Sequence, residues 1–275
     1  MTPTDRTGWE RENRTHFDEI VLNYDKVRPD YPTALFTDLL KYAGPGAGKQ
    51  ALEIGAGTGK ATAPILAAGF DVTAIEPGAN MTAFLLEKFQ GKPFRVITSI
   101  FEDAPLQGNT YDLIYAASAF HWVDAAIGCP KAHRLLKPGG VLALFRYNEP
   151  GCESALNDEI RAVYDRHYMT FYTSKKWLPN LSKEAYLTPY EIKRGYGFED
   201  MGHYGFRDVS MTLYDEVMTF TADEYIAFKA TMADIRGLPE SNRAALFAGI
   251  KEAINRHGGQ HIIEHIFQLY MGRKG

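Results

Sequence analysis

Cysteine, long apolar runs and an excess of positive charge are all scarce in this sequence. Only two cysteines occur, Cys129 and Cys152, and they form neither a C-x-x-C pair nor a disulfide framework. No apolar run approaches the roughly 20 residues that a membrane-spanning helix needs. The 30 basic and 34 acidic residues give a net charge of −4, which is not the electrostatic footprint of a nucleic-acid-binding protein. The sequence therefore predicts a protein of the reducing cytoplasm that binds neither nucleic acid nor membrane.

The first residues, 1–13, are polar and mixed in charge. They contain no apolar core of the kind that marks a secretory signal, so we expect no such signal here. The 275 residues, 45% of them apolar and 23% charged, suffice for one large α/β domain with an appended lid or for two small domains. The composition leaves open whether the chain is a monomer or a homodimer.

The most informative segment of the chain runs from Ala51 to Lys60. It begins as a short apolar strand and continues with glycines at three alternate positions before a predicted helix. Glycine has no Cβ, so the backbone here can turn sharply and let a ligand lie against it. A second predicted strand over 70–77 ends near Glu76, whose carboxylate can accept hydrogen bonds from both hydroxyls of a ribose. Together the two features predict a nucleoside-containing cofactor across the strand ends.

The spacing of these glycines differs from two common nucleotide-binding motifs. The dinucleotide fingerprint is G-x-G-x-x-G, whereas the third glycine here follows the second after one residue. No Gly-Lys-Ser/Thr sequence closes the loop as it does in a P-loop. Two alternatives remain: a nicotinamide-dependent oxidoreductase on a related sheet, and a non-catalytic module that binds a cofactor or a partner.

Strand-like and helix-like segments alternate along the first half of the chain. Strands are expected to begin near Gln50, Phe70, Phe94, Tyr111 and Gly140. Helices are expected near 60–68, 79–89 and 124–136. This alternation predicts a parallel sheet with helices on both faces. A strand over 204–213, helical structure over 221–257 and a final strand over 260–271 are expected to follow.

The expected final strand contains the sequence H-x-x-E-H, from His261 to His265, which is a zinc-protease pattern on a helix. Here Gly258 and Gly259 precede it, and apolar residues recur with a period of two, which favours a strand. On a strand the two histidines lie roughly 13 Å apart, too far to share a metal ion. We therefore predict ordinary strand residues and no metal site.

Three segments together resemble class I S-adenosylmethionine-dependent methyltransferases. The glycine turn, preceded by Glu53, is similar to motif I of that family, 101–117 is similar to its adenine-contacting turn and fourth strand, and 135–144 is similar to its entry into strand five. The resemblance covers 20–147 and is closest to the trans-aconitate methyltransferase-like, or methyltransferase type 11, group. It implies S-adenosyl-L-methionine as the cofactor. It also implies an α/β fold with a doubly wound, mostly parallel seven-stranded sheet, an antiparallel last strand and a helical lid insertion.

The resemblance further implies which residues hold the cofactor. Arg28 presents a planar fork that suits the carboxylate at the methionine end. Two alternatives for Arg28 are a structural role in the turn that follows it and an anchor for an acidic substrate. Ile100 stands where many members carry an acidic residue, so backbone groups near Phe101 and the side chain of Glu102 are expected to recognise the adenine. The expected cofactor-binding residues are Tyr24, Arg28, Glu53, Gly55, Ala56, Gly57, Gly59, Glu76, Pro77, Phe101, Glu102, Ala117, His121 and Trp122.

His121, which follows the fourth strand together with Trp122, is the candidate catalytic residue. Ligands lie beyond the carboxyl ends of parallel strands, and imidazole titrates near neutrality, which suits removal of a proton from an acceptor. The alternative is a histidine that fixes the loop while Trp122 packs over the cofactor.

Four regions are expected along the chain. They are an N-terminal helical cover over 1–45, a cofactor-binding Rossmann-like core over 46–150, a lid or acceptor-pocket insertion over 151–202, and a C-terminal completion of the sheet with helices over 203–275. The aromatic residues of the insertion can wall an acceptor pocket or fill the core of a small helical subdomain. The expected acceptor-binding residues are Tyr31, Arg146, Tyr168, Tyr172 and Trp177. The expected reaction is methyl transfer to a small-molecule acceptor, with a carboxylate or hydroxyl favoured over nucleic acid or protein.

Overall fold

The computed structural model describes residues 13, 17–150, 152–173, 175 and 201–275. They group into two compact units. The sheet unit holds the described residues of 30–148, 183–216 and 266–275, and the helical unit holds those of 1–29, 149–182 and 217–265. The division into four regions stays a prediction, and Trp177 lies outside the described residues.

A seven-stranded mixed sheet forms the frame of the sheet unit, in the order β3-β2-β1-β4-β5-β7-β6. Its strands are β1 (Gln50–Ile54), β2 (Asp71–Glu76), β3 (Phe94–Thr98), β4 (Tyr111–Ala117), β5 (Leu136–Asn148), β6 (Phe206–Thr221) and β7 (Gln260–Lys274). The pairs among β1 to β5 are parallel, and β7 runs antiparallel to β5. The predicted fold class, including the antiparallel last strand, is therefore confirmed.

Helices cover both faces of this sheet because alternate strand residues are apolar on both sides. The helices are α2 (Thr33–Ala43), α3 (Thr62–Ala67), α4 (Ala79–Lys88) and α5 (Ala125–Leu135), after α1 (Val21–Val27) in the other unit. Leu52 packs in one apolar cluster with Cys129 of α5, while its neighbour Ala51 packs in another with Leu39 of α2. Strands buried on both faces are typical of parallel sheets with crossover helices.

Strand β5 begins at Leu136, so the expected start near Gly140 is wrong by four residues. Leu136 pairs with Tyr111, and an irregularity between Tyr111 and Leu113 absorbs the extra residues. Gly139, at φ +75°, supplies the left-handed conformation within this stretch. Lys137, the second residue of β5, places Nζ 2.7 Å from Asp112 Oδ2 on β4. Pairing with β4 therefore extends β5 beyond the start that the sequence predicts.

Two later predictions also need correction. The strand expected over 204–213 is β6, which extends to Thr221. The helical stretch expected over 221–257 consists of α7 (Ala222–Lys229), α8 (Ala233–Arg236) and α9 (Glu240–Arg256). Pro239 stands at the N-cap of α9, and proline cannot continue a helix from the preceding turn.

The helical unit contains α1, α6 (Ala155–His167), α7, α8 and α9. Thr221 and Glu224 form a capping box at the start of α7, and the hydroxyl of Ser154 caps α6. Within the part of the chain that is described, no helix has the length and apolarity that crossing a bilayer requires.

Candidate functional site

The glycine turn after β1 has the backbone conformation that its sequence predicts. Gly55, Gly57 and Gly59 have φ values of +68°, +55° and +78°, in the left-handed region. A Cβ built on Gly55 would lie 2.6 Å from the Cβ of Ala119, and one on Gly59 would lie 2.4 Å from Cε2 of Phe89. Glycine is therefore needed here both for conformation and for close approach.

The steric part of this requirement is measurable with Gly59→Ala. Gly91 has a similar φ of +75° but open space around it, so Gly91→Ala is a matched control for the conformational strain alone. We expect Gly91→Ala to lower the free energy of unfolding by about 1 kcal/mol and Gly59→Ala by about 2 kcal/mol, because the added methyl also displaces Phe89. Urea denaturation of both variants measures the difference. Equal losses would show that the ring of Phe89 gives way without cost.

Glu76 is the last residue of β2, and its carboxylate reaches back to the glycine turn. Its Oε2 accepts a hydrogen bond from Gly57 N at 2.8 Å, and its Oε1 accepts one from Gly78 N at 3.0 Å. The residue is 7% exposed. A carboxylate has about four acceptor positions on its two oxygens, which is the chemistry that a pair of hydroxyl donors requires.

Glu53, at the end of β1, is a buried carboxylate within the same edge of the sheet. Its Oε2 accepts hydrogen bonds from Thr62 Oγ1 at 2.5 Å and from Tyr115 Oη at 2.8 Å. Burial raises the pKa of Glu53 to about 7; the bonds from Thr62 and Tyr115 oppose this rise, and the charge of Glu76 adds to it. Oε1 is buried and accepts no hydrogen bond from any residue that the structure describes.

The loops after β3 and β4 add further predicted residues at this edge. Phe101 is buried, and the ammonium of Lys131 lies 5.2 Å from its ring centroid. Lys131 also donates to the carbonyl oxygens of Glu102 and Ala104, at 3.0 and 2.7 Å. Glu102 Oε1 accepts a longer bond from Asp124 N at 3.4 Å. The turn predicted to contact adenine is thus fixed from α5 by one lysine.

Ala117 ends β4, and the next residue, Ser118, has a φ of +51°. A left-handed non-glycine residue is strained, which is often seen at functional sites. His121 and Trp122 lie in a short 3-10 turn over Phe120–Trp122, with ring centroids 4.9 Å apart. Trp122 is buried and His121 is half-exposed.

Most of the predicted cofactor residues lie along one edge of the sheet. Strands β1, β2, β3 and β4 run parallel, so their carboxyl ends all lie at this edge. The residues on or directly after these strand ends are Glu53, Gly55, Ala56, Gly57, Gly59, Glu76, Pro77, Phe101, Glu102, Ala117, His121 and Trp122.

Two predicted acceptor residues, Tyr31 and Arg146, also belong to the sheet unit. Tyr31 donates from Oη to Ser118 Oγ at 2.9 Å, and its ring meets that of Phe145 edge-on at 5.0 Å. Arg146 is 8% exposed and donates from Nε to Gln268 Oε1 at 2.8 Å. Tyr31 is therefore tied to the strained loop after β4, and Arg146 is tied to β7.

Tyr24 and Arg28 lie in the helical unit. Arg28 donates from a terminal nitrogen to the carbonyl oxygen of Thr231 at 2.9 Å, and its guanidinium lies 5.0 Å from the ring of Tyr24 and 5.6 Å from that of Phe228.

Tyr168 and Tyr172 are buried in the same unit, around Asp234. Tyr168 donates to the carboxylate of Asp234, and Tyr172 donates to its carbonyl oxygen at 2.6 Å. Lys175 pairs with Asp234 at 3.0 Å and lies over both tyrosine rings, at 4.6 and 4.7 Å. Among the described residues, these two tyrosines form part of the core of the helical unit.

Sequence reasoning missed Thr62 and Tyr115, which hold Glu53, and the pair of Lys229 with Glu149. Lys229 Nζ lies 2.7 Å from Glu149 Oε2 within the helical unit, and both side chains are largely buried. Sequence gives little signal for Tyr115, because β4 also contains a second phenol, Tyr111, and a carboxylate, Asp112. The position of Tyr115 opposite Glu53 in the β1–β4 register is a property of the folded sheet.

His261 and His265 lie on β7, as predicted, so the strand interpretation of H-x-x-E-H is confirmed. His261 meets the ring of Tyr225 edge-on at 4.7 Å, and His265 meets that of Phe228 at 6.1 Å. Burial lowers the pKa of both histidines. Among the described residues, no three His, Cys, Asp or Glu side chains are arranged to hold a metal ion.

Residues 52–144 of the chain match a family model described as a methyltransferase domain. An uncharacterized methyltransferase of Mycobacterium tuberculosis is 36% identical over 134 residues, which are 49% of this chain and 53% of the relative. The chain therefore spans about half the length of this curated relative.

Two solved structures are similar in fold. One, from Anaeromyxobacter dehalogenans and provisionally described as a type II methyltransferase, aligns with a TM-score of 0.60 and 21% identity over 90% of this chain and 97% of that chain. The other is phosphoethanolamine N-methyltransferase 2 of Haemonchus contortus in complex with S-adenosyl-L-methionine. It aligns with a TM-score of 0.54 and 16% identity over 98% of this chain and 60% of that chain. At these identities the likeness concerns the fold alone.

Proposed function

We propose that this chain, whose residues 52–144 match the model of a methyltransferase domain, transfers a methyl group from S-adenosyl-L-methionine to a small-molecule acceptor. The family match agrees with the resemblance drawn from the glycine turn, and the Haemonchus contortus enzyme of similar fold was solved with this cofactor. The single observation that carries the proposal is the joint placement of Glu53, the glycine turn and Glu76 at one sheet edge.

The residues at this edge fit the parts of the cofactor. Glu76, with both oxygens fixed by backbone N–H groups, suits the two ribose hydroxyls. The buried, unshared Oε1 of Glu53 suits a cationic amino group. The glycine turn admits close approach of a ligand to the backbone, and the fixed loop at Phe101 and Glu102 suits an adenine. When bound, the cofactor supplies a methyl group that is activated by the positive sulfur.

The chain's own contribution to the reaction is to bind, to orient and to exclude water. Orientation of two reactants can lower a barrier by several kcal/mol. A carboxylate acceptor has no proton to lose, whereas a hydroxyl acceptor needs a base. His121, half-exposed beyond β4, is the residue we assign to that task. Tyr31 and Arg146, which both belong to the sheet unit, remain our proposed contacts for the acceptor.

The acceptor is proposed to be a small carboxylate or hydroxyl compound. The net charge of −4 argues against an extended nucleic-acid surface. Arg146, a guanidinium at the end of β5, suits a carboxylate because its fork can donate two parallel hydrogen bonds.

Turnover measurements test the proposal directly. The purified chain is incubated with S-adenosyl-L-methionine and a panel of small acids and alcohols, and S-adenosylhomocysteine is quantified. We expect product above the acceptor-free background with at least one carboxylate or hydroxyl compound. Binding of a nicotinamide dinucleotide in place of S-adenosylhomocysteine, measured by calorimetry, would instead favour an oxidoreductase.

His121→Asn separates a catalytic role from a structural one. If His121 is the general base, turnover should fall by about a hundredfold while cofactor affinity stays within about threefold. If it fixes the loop beside Trp122, the melting temperature and the cofactor affinity should fall together. Steady-state rates, calorimetry and thermal melts of the one variant distinguish these results. Undiminished turnover would remove His121 from the catalytic machinery.

A further inference from the structure

The environment of Glu53 is asymmetric. Both hydroxyl donors, Thr62 at the start of α3 and Tyr115 on β4, bind the same oxygen, Oε2. The other oxygen, Oε1, is buried, accepts no hydrogen bond from the described residues, and belongs to a side chain that is 1% exposed. A buried carboxylate oxygen without a partner is costly in a folded protein, and a ligand that supplies the missing donor removes that cost.

The charge around Glu53 indicates what kind of donor that ligand carries. Within the described residues, no Lys, Arg or His nitrogen forms an ion pair with Glu53. The charge that acts on the pKa of Glu53 is the carboxylate of Glu76, which is also negative. A cationic donor therefore gains more at this oxygen than a neutral hydroxyl does.

We propose that Thr62 and Tyr115 are positioning residues, which hold one oxygen of Glu53 so that the other accepts a hydrogen bond from the ammonium group at the amino-acid end of the cofactor. The inference rests on the proposed function. The hydroxyls of Thr62 and Tyr115 gain a role in this way, although neither residue belongs to the glycine turn. The β1–β4 register makes the arrangement rigid, because Glu53 and Tyr115 are directly paired in the sheet.

This arrangement makes cofactor binding depend on pH. The groups that face Glu53 are Tyr115 from β4, Thr62 from α3 and Glu76 from β2. Burial raises the pKa of Glu53 to about 7, and the hydrogen bonds from Thr62 and Tyr115 hold it below the value that burial alone would give. Only the ionised carboxylate pairs favourably with an ammonium group. Affinity should therefore rise with pH through about 7, and loss of either hydroxyl should move the midpoint of that rise to higher pH.

The test uses two ligands that differ in the group at issue. S-adenosylhomocysteine carries the amino acid, whereas 5′-methylthioadenosine carries the same adenosine and thioether without it. Dissociation constants for both are measured by calorimetry between roughly pH 5.5 and pH 8.5, a range that brackets the midpoint expected for Glu53. The proteins are the parent, Tyr115→Phe, Thr62→Val and Thr62→Ser, with Glu53→Gln as the variant that cannot titrate.

For the parent, we expect affinity for S-adenosylhomocysteine to fall by up to about tenfold per pH unit below the midpoint. Tyr115→Phe and Thr62→Val should shift this midpoint upward and weaken binding at neutral pH by several-fold. Thr62→Ser, which keeps the hydroxyl, should behave as the parent, and Glu53→Gln should flatten the profile. Affinity for 5′-methylthioadenosine should stay nearly constant across pH and across the variants.

Two results would overturn the positioning role. One is a midpoint for S-adenosylhomocysteine that is the same in Tyr115→Phe and Thr62→Val as in the parent. The other is a parallel loss of affinity for both ligands, which would mean general damage to the site. If the parent binds neither ligand at any pH, the proposed function itself fails, and that outcome is distinct from the first two.

Discussion

Glu76→Ala is expected to weaken binding of S-adenosyl-L-methionine by about ten- to a hundredfold. A hydrogen bond to a charged group contributes roughly 1.5–3 kcal/mol, and each 1.4 kcal/mol corresponds to a factor of ten in affinity. The substitution also removes the acceptors of Gly57 N and Gly78 N, so the glycine turn loses the carboxylate that links it to β2. Both consequences act on the cofactor and leave the apolar layers of the sheet unchanged.

A matched control and a graded variant sharpen this test. Glu87→Ala removes an exposed glutamate from α4 and should leave affinity unchanged. Glu76→Gln keeps one carbonyl oxygen and should give an intermediate loss, because an amide has one acceptor oxygen where the carboxylate has two. Calorimetry on protein whose thermal melt shows it to be folded provides the measurement. An unaltered dissociation constant for Glu76→Ala would contradict the assignment of Glu76 to the ribose.

The second large effect is expected for Lys229→Met, which should lower the free energy of unfolding by about 3 kcal/mol. Lys229 pairs with Glu149 at 2.7 Å, and the two side chains are 12% and 24% exposed. Breaking a buried pair leaves an uncompensated charge, which typically costs a few kcal/mol, whereas replacing both partners can be nearly neutral. Methionine preserves the length of the side chain and the helical propensity in α7.

An exposed pair in the same unit serves as the control. Lys251 and Asp223 lie 2.5 Å apart with side chains 48% and 78% exposed, so Lys251→Met should cost less than about 0.5 kcal/mol. The double variant Lys229→Met with Glu149→Gln should recover most of the stability lost in Lys229→Met alone. Urea denaturation at neutral pH measures all three variants. Equal losses for Lys229→Met and Lys251→Met would show that burial adds nothing to the Lys229–Glu149 pair.

The same pair determines an acid dependence with a definite sign. Burial raises the pKa of Glu149, but the charges of Lys229, His265 and Arg28 outweigh it, so the pKa lies below its usual value. A carboxylate with a lowered pKa in the folded state contributes stability above the pKa of the unfolded chain, and that contribution is lost as pH falls through the folded value. In Lys229→Met this acid-induced loss should be smaller than in the parent.

Local patterns were sufficient to predict the strands and the glycine turn. The strands β1 to β4 follow from short apolar segments bounded by glycine and proline, and the positive φ of Gly55 and Gly59 follows from the need to turn between strand and helix. The family resemblance predicted the antiparallel last strand. The start of β5 was not predictable in this way, because the pairing of Leu136 with Tyr111 depends on a neighbouring strand.

Hydrogen bonds and ion pairs between residues far apart in the sequence were not predictable either, because they depend on the folded arrangement. Tyr115 and Glu53 are 62 positions apart, and Lys229 and Glu149 are 80 apart, so no periodicity in the sequence joins them. The aromatic spacing of the insertion could not tell a pocket from a core. In the structure the hydroxyls of Tyr168 and Tyr172 are both bound to Asp234, a partner that no local pattern identifies.

The place of β7 in the sheet has a consequence for the order of events during synthesis. β7 lies between β5 and β6, although β6 leaves the ribosome first. Until β7 emerges, β5 has an open edge of unpaired N–H and C=O groups, and β6 lacks its neighbour among the described strands. Open edges of this kind can template pairing between chains, so we expect the edge of β5 to be protected only once β7 has paired with it. The exposure of this edge during synthesis therefore depends on when β7 pairs, whatever the stability of the finished fold.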